Sequence, residues 1–219
     1  MIRQLTRPLL RPLTRPLLGK GGCERWVYNF DGVNDFAQFA QRLIDPDGDI
    51  DIEWEVGDDF LAPSITRHVI SQFNGLTAGN FREFYLRWQL ISGSHSLMFN
   101  LGGVVGGFSN AYNQGARKYR INLEGSTLSF YRDGALIQSQ TFTRGSARQP
   151  SVPTVAFAAW PLSFAPTERS IGTHLNLKIN GHLYPIDNPA SAIQTSVPDN
   201  GNPLTLVNTN SERWSKIPC

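Results

Sequence analysis

Long apolar runs are missing from this chain, and their absence removes several possibilities at once. No stretch approaches the roughly 18 to 20 uninterrupted apolar residues that a membrane-spanning helix requires, so no membrane span is expected. Apolar residues recurring at every third or fourth position are almost absent as well, which argues against a helical architecture. Cysteine and histidine are scarce. Cys23 and Cys219 stand at opposite ends of the body, and His68, His95, His174 and His182 show no ligand spacing with one another, so no zinc motif is present. No Gly-x-Ser-x-Gly elbow occurs, and neither cysteine has a recognisable catalytic context. Nucleophilic catalysis finds no foothold.

The first 22 residues contain no acid. Within MIRQLTRPLLRPLTRPLLGKGG the triplet Arg-Pro-Leu repeats at a period of four, beginning at Arg7, Arg11 and Arg15. Pro8, Pro12 and Pro16 each remove a backbone donor and push the preceding arginine toward extended geometry, so the arm is expected to lie extended. Its interrupted apolar content does not suit a secretory signal, and its prolines do not suit a helical presequence, so Met1 is expected to begin the mature chain. A strip of leucines with no second face cannot bury itself. The arm is therefore expected to dock on another protein chain through Leu9, Leu13 and Leu17, with Arg7, Arg11 and Arg15 reaching acidic groups or solvent. The alternative is a solvated basic tail. The arm also carries five of the 20 basic residues, which leaves 15 against 18 acids in residues 23–219. The body is thus mildly acidic, and no nucleic-acid surface is expected on it.

That body reads as strands throughout. Turn dipeptides at Asp31-Gly32, Asp47-Gly48, Glu124-Gly125, Asp133-Gly134 and Asn180-Gly181 predict hairpins, because Asp-Gly and Asn-Gly supply the positive φ that tight turns between twisted strands demand. Strands are predicted near 25–30, 36–40, 49–56, 66–73, 81–91, 95–101, 117–123, 127–132, 135–143, 153–159, 173–180, 182–186 and 204–208. Such a succession implies an all-β, two-sheet antiparallel sandwich of the jelly-roll kind. Two regions are expected: an extended arm over 1–22 and the sandwich over 23–219. The clearest strand is Asp49-Ile-Asp-Ile-Glu-Trp-Glu-Val56, whose apolar residues point one way and whose four carboxylates point the other. The glycine pairs in Leu101-Gly-Gly-Val-Val-Gly-Gly-Phe108 predict a mobile loop, and no strand-loop-helix context makes them a phosphate cradle.

Three segments together resemble the laminin G or concanavalin A-like lectin/glucanase sandwich. They are Phe30-Asp-Gly-Val-Asn-Asp-Phe36, Ile50-Asp-Ile-Glu-Trp-Glu-Val56 and Leu123-Glu-Gly-Ser-Thr-Leu-Ser-Phe-Tyr-Arg-Asp-Gly134. The tail, from Asn180 to Asp187 and on through Gly201–Asn208 and Trp214, resembles the ends of such domains in bacteriophage and prophage structural proteins. The resemblance implies that the first and last strands lie side by side, which would bring Cys23 and Cys219 together. A disulfide and two neighbouring reduced thiols both remain open.

Glycoside hydrolases of this fold carry a Glu-x-Asp-x-Glu motif on one strand. Here Asp49-Ile-Asp51-Ile-Glu53 comes close but has aspartate in the first place, one methylene short of the family's glutamate. The four carboxylates are expected to be structural, paired with arginines such as Arg67, Arg82 or Arg87 on neighbouring strands, and no catalytic residue is assigned. Asp45, Asp47 and Asp49 cluster hard oxygens at one turn and are a calcium candidate, although the turn lacks the glycine position and terminal glutamate of an EF-hand. No other cofactor is expected. Trp54 and Trp88 fall in strand patterns that point inward, whereas Tyr112 and Trp160 are surface candidates for stacking on sugar rings, for loop packing or for a subunit contact.

Two functional expectations follow from the resemblance. The first is a non-enzymatic virion structural protein, a lectin-like decoration, fibre or receptor-facing module assembled in the host cytoplasm. Residues 1–22 would hold it to capsid, collar or tail proteins, with a host-surface carbohydrate and further copies of the chain as other partners. The second is a carbohydrate-binding domain or glycoside hydrolase on the same sandwich.

Overall fold

The computed structural model describes residues 24–31, 35–57, 66–72, 83–148, 153–157, 171–207 and 211–218. The arm, Cys23, Cys219, Arg82 and Trp160 lie outside them. Among the described residues there are sixteen strands: β1 (Glu24–Asp31), β2 (Phe36–Phe39), β3 (Ile50–Val56), β4 (Arg67–Gln72), β5 (Phe84–Ile91), β6 (Ser94–Leu101), β7 (Val104–Phe108) and β8 (Lys118–Glu124) come first. They are followed by β9 (Thr127–Arg132), β10 (Ala135–Thr141), β11 (Val155–Ala156), β12 (Ile171–Ile179), β13 (His182–Pro185), β14 (Ile193–Gln194), β15 (Leu204–Val207) and β16 (Trp214–Pro218). A single 3-10 turn, Ser211–Arg213, is the helical element among the described residues. The strands form two antiparallel sheets of eight. The first runs β10-β9-β8-β3-β12-β1-β16, with β13 also on β12, and the second runs β14-β15-β2-β11-β4-β5-β6-β7. The two-sheet sandwich expected from turn spacing is the observed architecture.

The core forms where the period-two patterns of the two sheets face each other. Along β3, Ile50, Ile52, Trp54 and Val56 are buried while Asp51, Glu53 and Glu55 are half-buried on the opposite face. Trp54 stacks on Tyr119 of β8, directly across the strand pair, with ring centroids 5.5 Å apart. Trp88 reaches in from β5 of the second sheet and meets both rings edge-on, at 6.2 Å from Trp54 and 5.2 Å from Tyr119. These three rings join the sheets. Each is essentially fully buried, so together they remove a large apolar area from water.

Hairpins close where the sequence provides the turn chemistry. Asn180 and Gly181 have φ of 47° and 89°, and Asp133 and Gly134 have 48° and 81°, the two consecutive positive values of a type I′ turn. Two predicted hairpins are not hairpins. Asp31-Gly32 and Asp47-Gly48 lie between strands of different sheets, because β1 and β3 belong to the first sheet and β2 to the second. Gly32 lies outside the described residues, and β2 takes its partners from distant parts of the sequence, pairing with β11 and β15.

The glycine-rich segment predicted as a mobile loop is instead the β6–β7 hairpin. A Cβ on Gly102 would lie 2.1 Å from the Gly145 carbonyl oxygen, and one on Gly106 would lie 2.9 Å from the Phe142 ring. Bare backbone is needed there because the segment after β10 packs directly across β7. Strands β14 and β16 were also not expected from the sequence. The last of these pairs with β1, Glu24 standing opposite Pro218, so the first and last strands are neighbours.

A buried histidine packs against this core. His174 of β12 is 1% exposed, with the Phe157 ring 4.2 Å and the Phe30 ring 5.4 Å away. Burial penalises the imidazolium and pulls its pKa down to about 3 from an ordinary 6.5. The unfolded chain therefore takes up a proton that the native state refuses until about pH 3. This contribution to stability is complete above pH 6.5 and is lost as pH falls from 6.5 toward 3. Replacement His174→Leu is expected to make the acid limb of urea-derived stability shallower by up to about 1.4 kcal/mol per pH unit. An unchanged slope would show that the buried imidazole is not the group responsible.

Candidate functional site

The outward face of the first sheet carries the charge. With β3 between β8 and β12, Glu53 lies opposite Arg120 on one side and Lys178 on the other, and Glu55 lies between Lys118 and Asn176. Alternation along β8 and β12 puts Tyr119, Ile121, Leu177 and Ile179 into the core and leaves the polar residues outside. Each carboxylate but one is held. Arg120 forks onto Asp51, with Nε 2.6 Å from Oδ1 and Nη2 3.1 Å from Oδ2. The hydrogen bonds to Asp51 raise the guanidinium pKa against an opposing desolvation. Glu55 accepts from Arg25 Nη2 at 2.9 Å and from Asn176 Nδ2 at 2.6 Å. Asp49 accepts the Gly125 N–H at 2.9 Å and lies 3.5 Å from Arg144 Nη2.

Glu53 is different. Among the described residues its carboxylate makes no hydrogen bond and no ion pair, and it lines two adjoining depressions. The larger is a groove of about 360 Å³, walled by Glu55, Lys118, Asn176, Lys178, Leu183 and Val197. The smaller, about 90 Å³, extends past Lys118 and Arg120 to Tyr131 and Gly134. The Arg120 guanidinium sits 5.1 Å above the Tyr131 ring. The outer wall exists because β13 returns along β12 and bridges, at Leu183, to Val197, which is 60% exposed.

The carboxylates of β3 are structural in large part, but their expected partners were misplaced. Arg67 and Arg87 belong to β4 and β5 of the opposite sheet, and Arg87 donates to Gln89 and lies over the Tyr85 ring. The observed partners are Arg120, Arg25 and Arg144.

The calcium candidate does not assemble. Asp45, Asp47 and Asp49 are all exposed and turn apart. Asp45 Oδ1 accepts the Asp47 N–H at 3.0 Å, Asp47 pairs with Arg148, and Asp49 turns to Gly125 and Arg144. Arg144 also donates to the carbonyls of Pro46, at 3.0 Å, and Gly48, at 2.6 Å, so a guanidinium already satisfies oxygens a calcium ion would seek. No group of three His, Cys, Asp or Glu residues able to hold a metal occurs among the described residues. Tyr112 is half-buried against the core, its ring 6.3 Å from Trp88 and 5.7 Å from His95, which is loop packing rather than a free stacking platform. Lys118, Lys178 and Tyr131 were missed in the sequence. They show there only as polar positions of alternating strands, and register alone brings them to Glu53.

Comparison with solved structures defines this architecture further. A native heptameric pentraxin of Limulus polyphemus aligns over 71% of this chain and 75% of its own, at 14% identity and a TM-score of 0.52. A Bacteroides ovatus protein described as carbohydrate binding aligns over 89% and 60%, at 8% identity and a TM-score of 0.58. Domains LG4-5 of the mouse laminin α1 chain align over 82% and 47%, at 13% identity and a TM-score of 0.50. The chain has the concanavalin A-like, laminin G-like fold. It spans only 60% and 47% of the second and third of these proteins. At such identities this sandwich shares a backbone plan with them and nothing finer. No family model and no curated protein matches the sequence.

Proposed function

We infer that this concanavalin A-like domain is a non-enzymatic carbohydrate-binding module of a bacteriophage virion, a decoration, fibre or receptor-facing protein anchored by residues 1–22. The observation that carries the binding half of this reading is the state of the β3 carboxylates. A glycosidase needs two carboxyl groups free to act, one as acid and one as base or nucleophile, at a separation of about 5–5.5 or 6.5–9.5 Å. Here Asp51 and Glu55 are neutralised by bonded arginines and Asp49 is turned to a backbone N–H, which leaves Glu53 as the unengaged carboxylate of the groove among the described residues. One carboxylate unpaired among the described residues, set beside lysines and the apolar side chains of Leu183 and Val197, suits holding a saccharide rather than cleaving it. The carbohydrate binding described for the Bacteroides ovatus protein of like fold supports the same reading.

The virion half rests on the sequence. The Arg-Pro-Leu repeat supplies the regular leucines, and the prolines that favour extension, which a docking peptide uses, and the tail from Asn180 resembles those of phage structural proteins. Reducing host cytoplasm is the compartment in which such a protein assembles.

Each half has its test. Screening β-glucans, galactans and bacterial surface polysaccharides is expected to give no turnover; cleavage that collapses in Glu53→Gln would make the domain a glycosidase. Deleting residues 2–20 is expected to leave the thermal unfolding midpoint of the body unchanged while abolishing incorporation into the parent particle. Normal incorporation of the truncated chain would refute the anchoring role.

A further inference from the structure

We propose that the groove over β8, β3 and β12 selects an acidic saccharide, one bearing carboxylate groups on its rings; this rests on the carbohydrate-binding reading. The argument is a charge count over the groove. Asp51 cancels Arg120, and Glu55 cancels Arg25, both at hydrogen-bond distance. What remains uncancelled around the larger depression is Glu53 against Lys118 and Lys178. Neither ammonium makes a salt bridge or a side-chain hydrogen bond among the described residues, although both line the groove. Two compact cations beside one anion leave the groove with an excess positive charge, on a body whose remaining charge is acidic. A neutral sugar would leave that excess unmet.

Position gives each group a role. Lys118 and Lys178 stand on β8 and β12, on either side of β3, Lys178 directly opposite Glu53 and Lys118 two residues along, opposite Glu55. A ring carboxylate meeting one ammonium leaves its hydroxyls over Glu53, a carboxylate with unused acceptor capacity. Glu53 also repels a ligand carboxylate placed directly above it, so it fixes which end of the sugar faces which lysine. Leu183 and Val197 supply the apolar wall on which a pyranose C–H face rests. Tyr131, reached along the smaller depression, extends the platform toward a second ring.

Calorimetric titration of the full chain with hexagalacturonate and with cellohexaose tests this assignment. The acidic hexamer is expected to bind at least about tenfold more tightly than the neutral one, and Lys118→Ala with Lys178→Ala to remove about that factor. Binding is also expected to weaken as salt rises. Lys216→Ala, which removes an exposed lysine paired with Glu24 elsewhere on the sheet, serves as the control and should change nothing. Glu53→Gln separates a built site from diffuse charge. Loss of an acceptor weakens binding in the site proposed, whereas a merely basic surface would bind the acidic hexamer more tightly once the anion is gone. Equal or tighter binding of cellohexaose would overturn the acidic selectivity and leave carbohydrate binding standing. Binding of neither hexamer would overturn both.

Discussion

The contact of Trp54 with Tyr119 beside it and Trp88 across the sandwich is the constraint on which the rest depends. It joins the middle of the first sheet to the second through three fully buried rings, and it fixes which face of β3 points inward. Side chains on a strand alternate, so once Trp54 is committed to the core, Glu53 and Glu55 must face out. A one-residue slip would bury three carboxylates and expose the largest apolar side chain in the strand. Core packing and groove chemistry are therefore two consequences of one register. The arginine bonds on the outer face add to this in a smaller way. At half-exposed sites each such pair is worth about 1 kcal/mol or less, so they orient carboxylates more than they hold the fold.

The same physics separates structural charges from a functional one. Asp51 is engaged by a fork, Glu55 by an arginine and an amide, and Asp49 by a backbone N–H. These bonds draw the acidic strand into a cross-strand lattice and leave a single carboxylate with open valence. Around Asp45–Asp49 the lattice does the work that an ion would do elsewhere, with Arg144 spanning the Pro46 and Gly48 carbonyls and Arg148 meeting Asp47. The acidic turn and the acidic strand, which look alike in sequence, thus have different outcomes. In the turn every carboxylate has a partner; on the strand Glu53 has no hydrogen bond or ion pair among the described residues.

What could be read from the sequence was whatever depends on local pattern. Strict alternation over residues 49–56 announces β3 and its two faces, and Asp133-Gly134 and Asn180-Gly181 announce hairpins, whose φ values are those of type I′ turns. What could not be read depends on pairing over long separations. Asp31-Gly32 and Asp47-Gly48 carry turn chemistry but stand in sequence between strands of different sheets, because those strands find distant partners. Strand β7 was hidden because its glycines show no alternation; a Cβ on Gly106 would meet the Phe142 ring and one on Gly107 the Met98 sulfur. Arg120 and Arg25, rather than Arg67 or Arg87, neutralise β3 for the same reason: sheet order decides neighbours. Of the groove, Glu53 stood out in advance as part of a damaged catalytic motif, while Lys118 and Lys178 gained meaning only from register.

Glu53 and Trp54 are adjacent in sequence yet assigned opposite tasks, and comparing the two tests the central claim most directly. Urea unfolding of the variants is the measurement. Trp54→Ala is expected to lose about 3–5 kcal/mol, the usual cost of emptying a buried aromatic site. Glu53→Gln, altering one charge on the outer face that makes no hydrogen bond or ion pair among the described residues, is expected to stay within about 0.5 kcal/mol of the parent. A loss from Glu53→Gln comparable to that from Trp54→Ala would contradict the account, because the groove carboxylate would then be part of what holds the sandwich together.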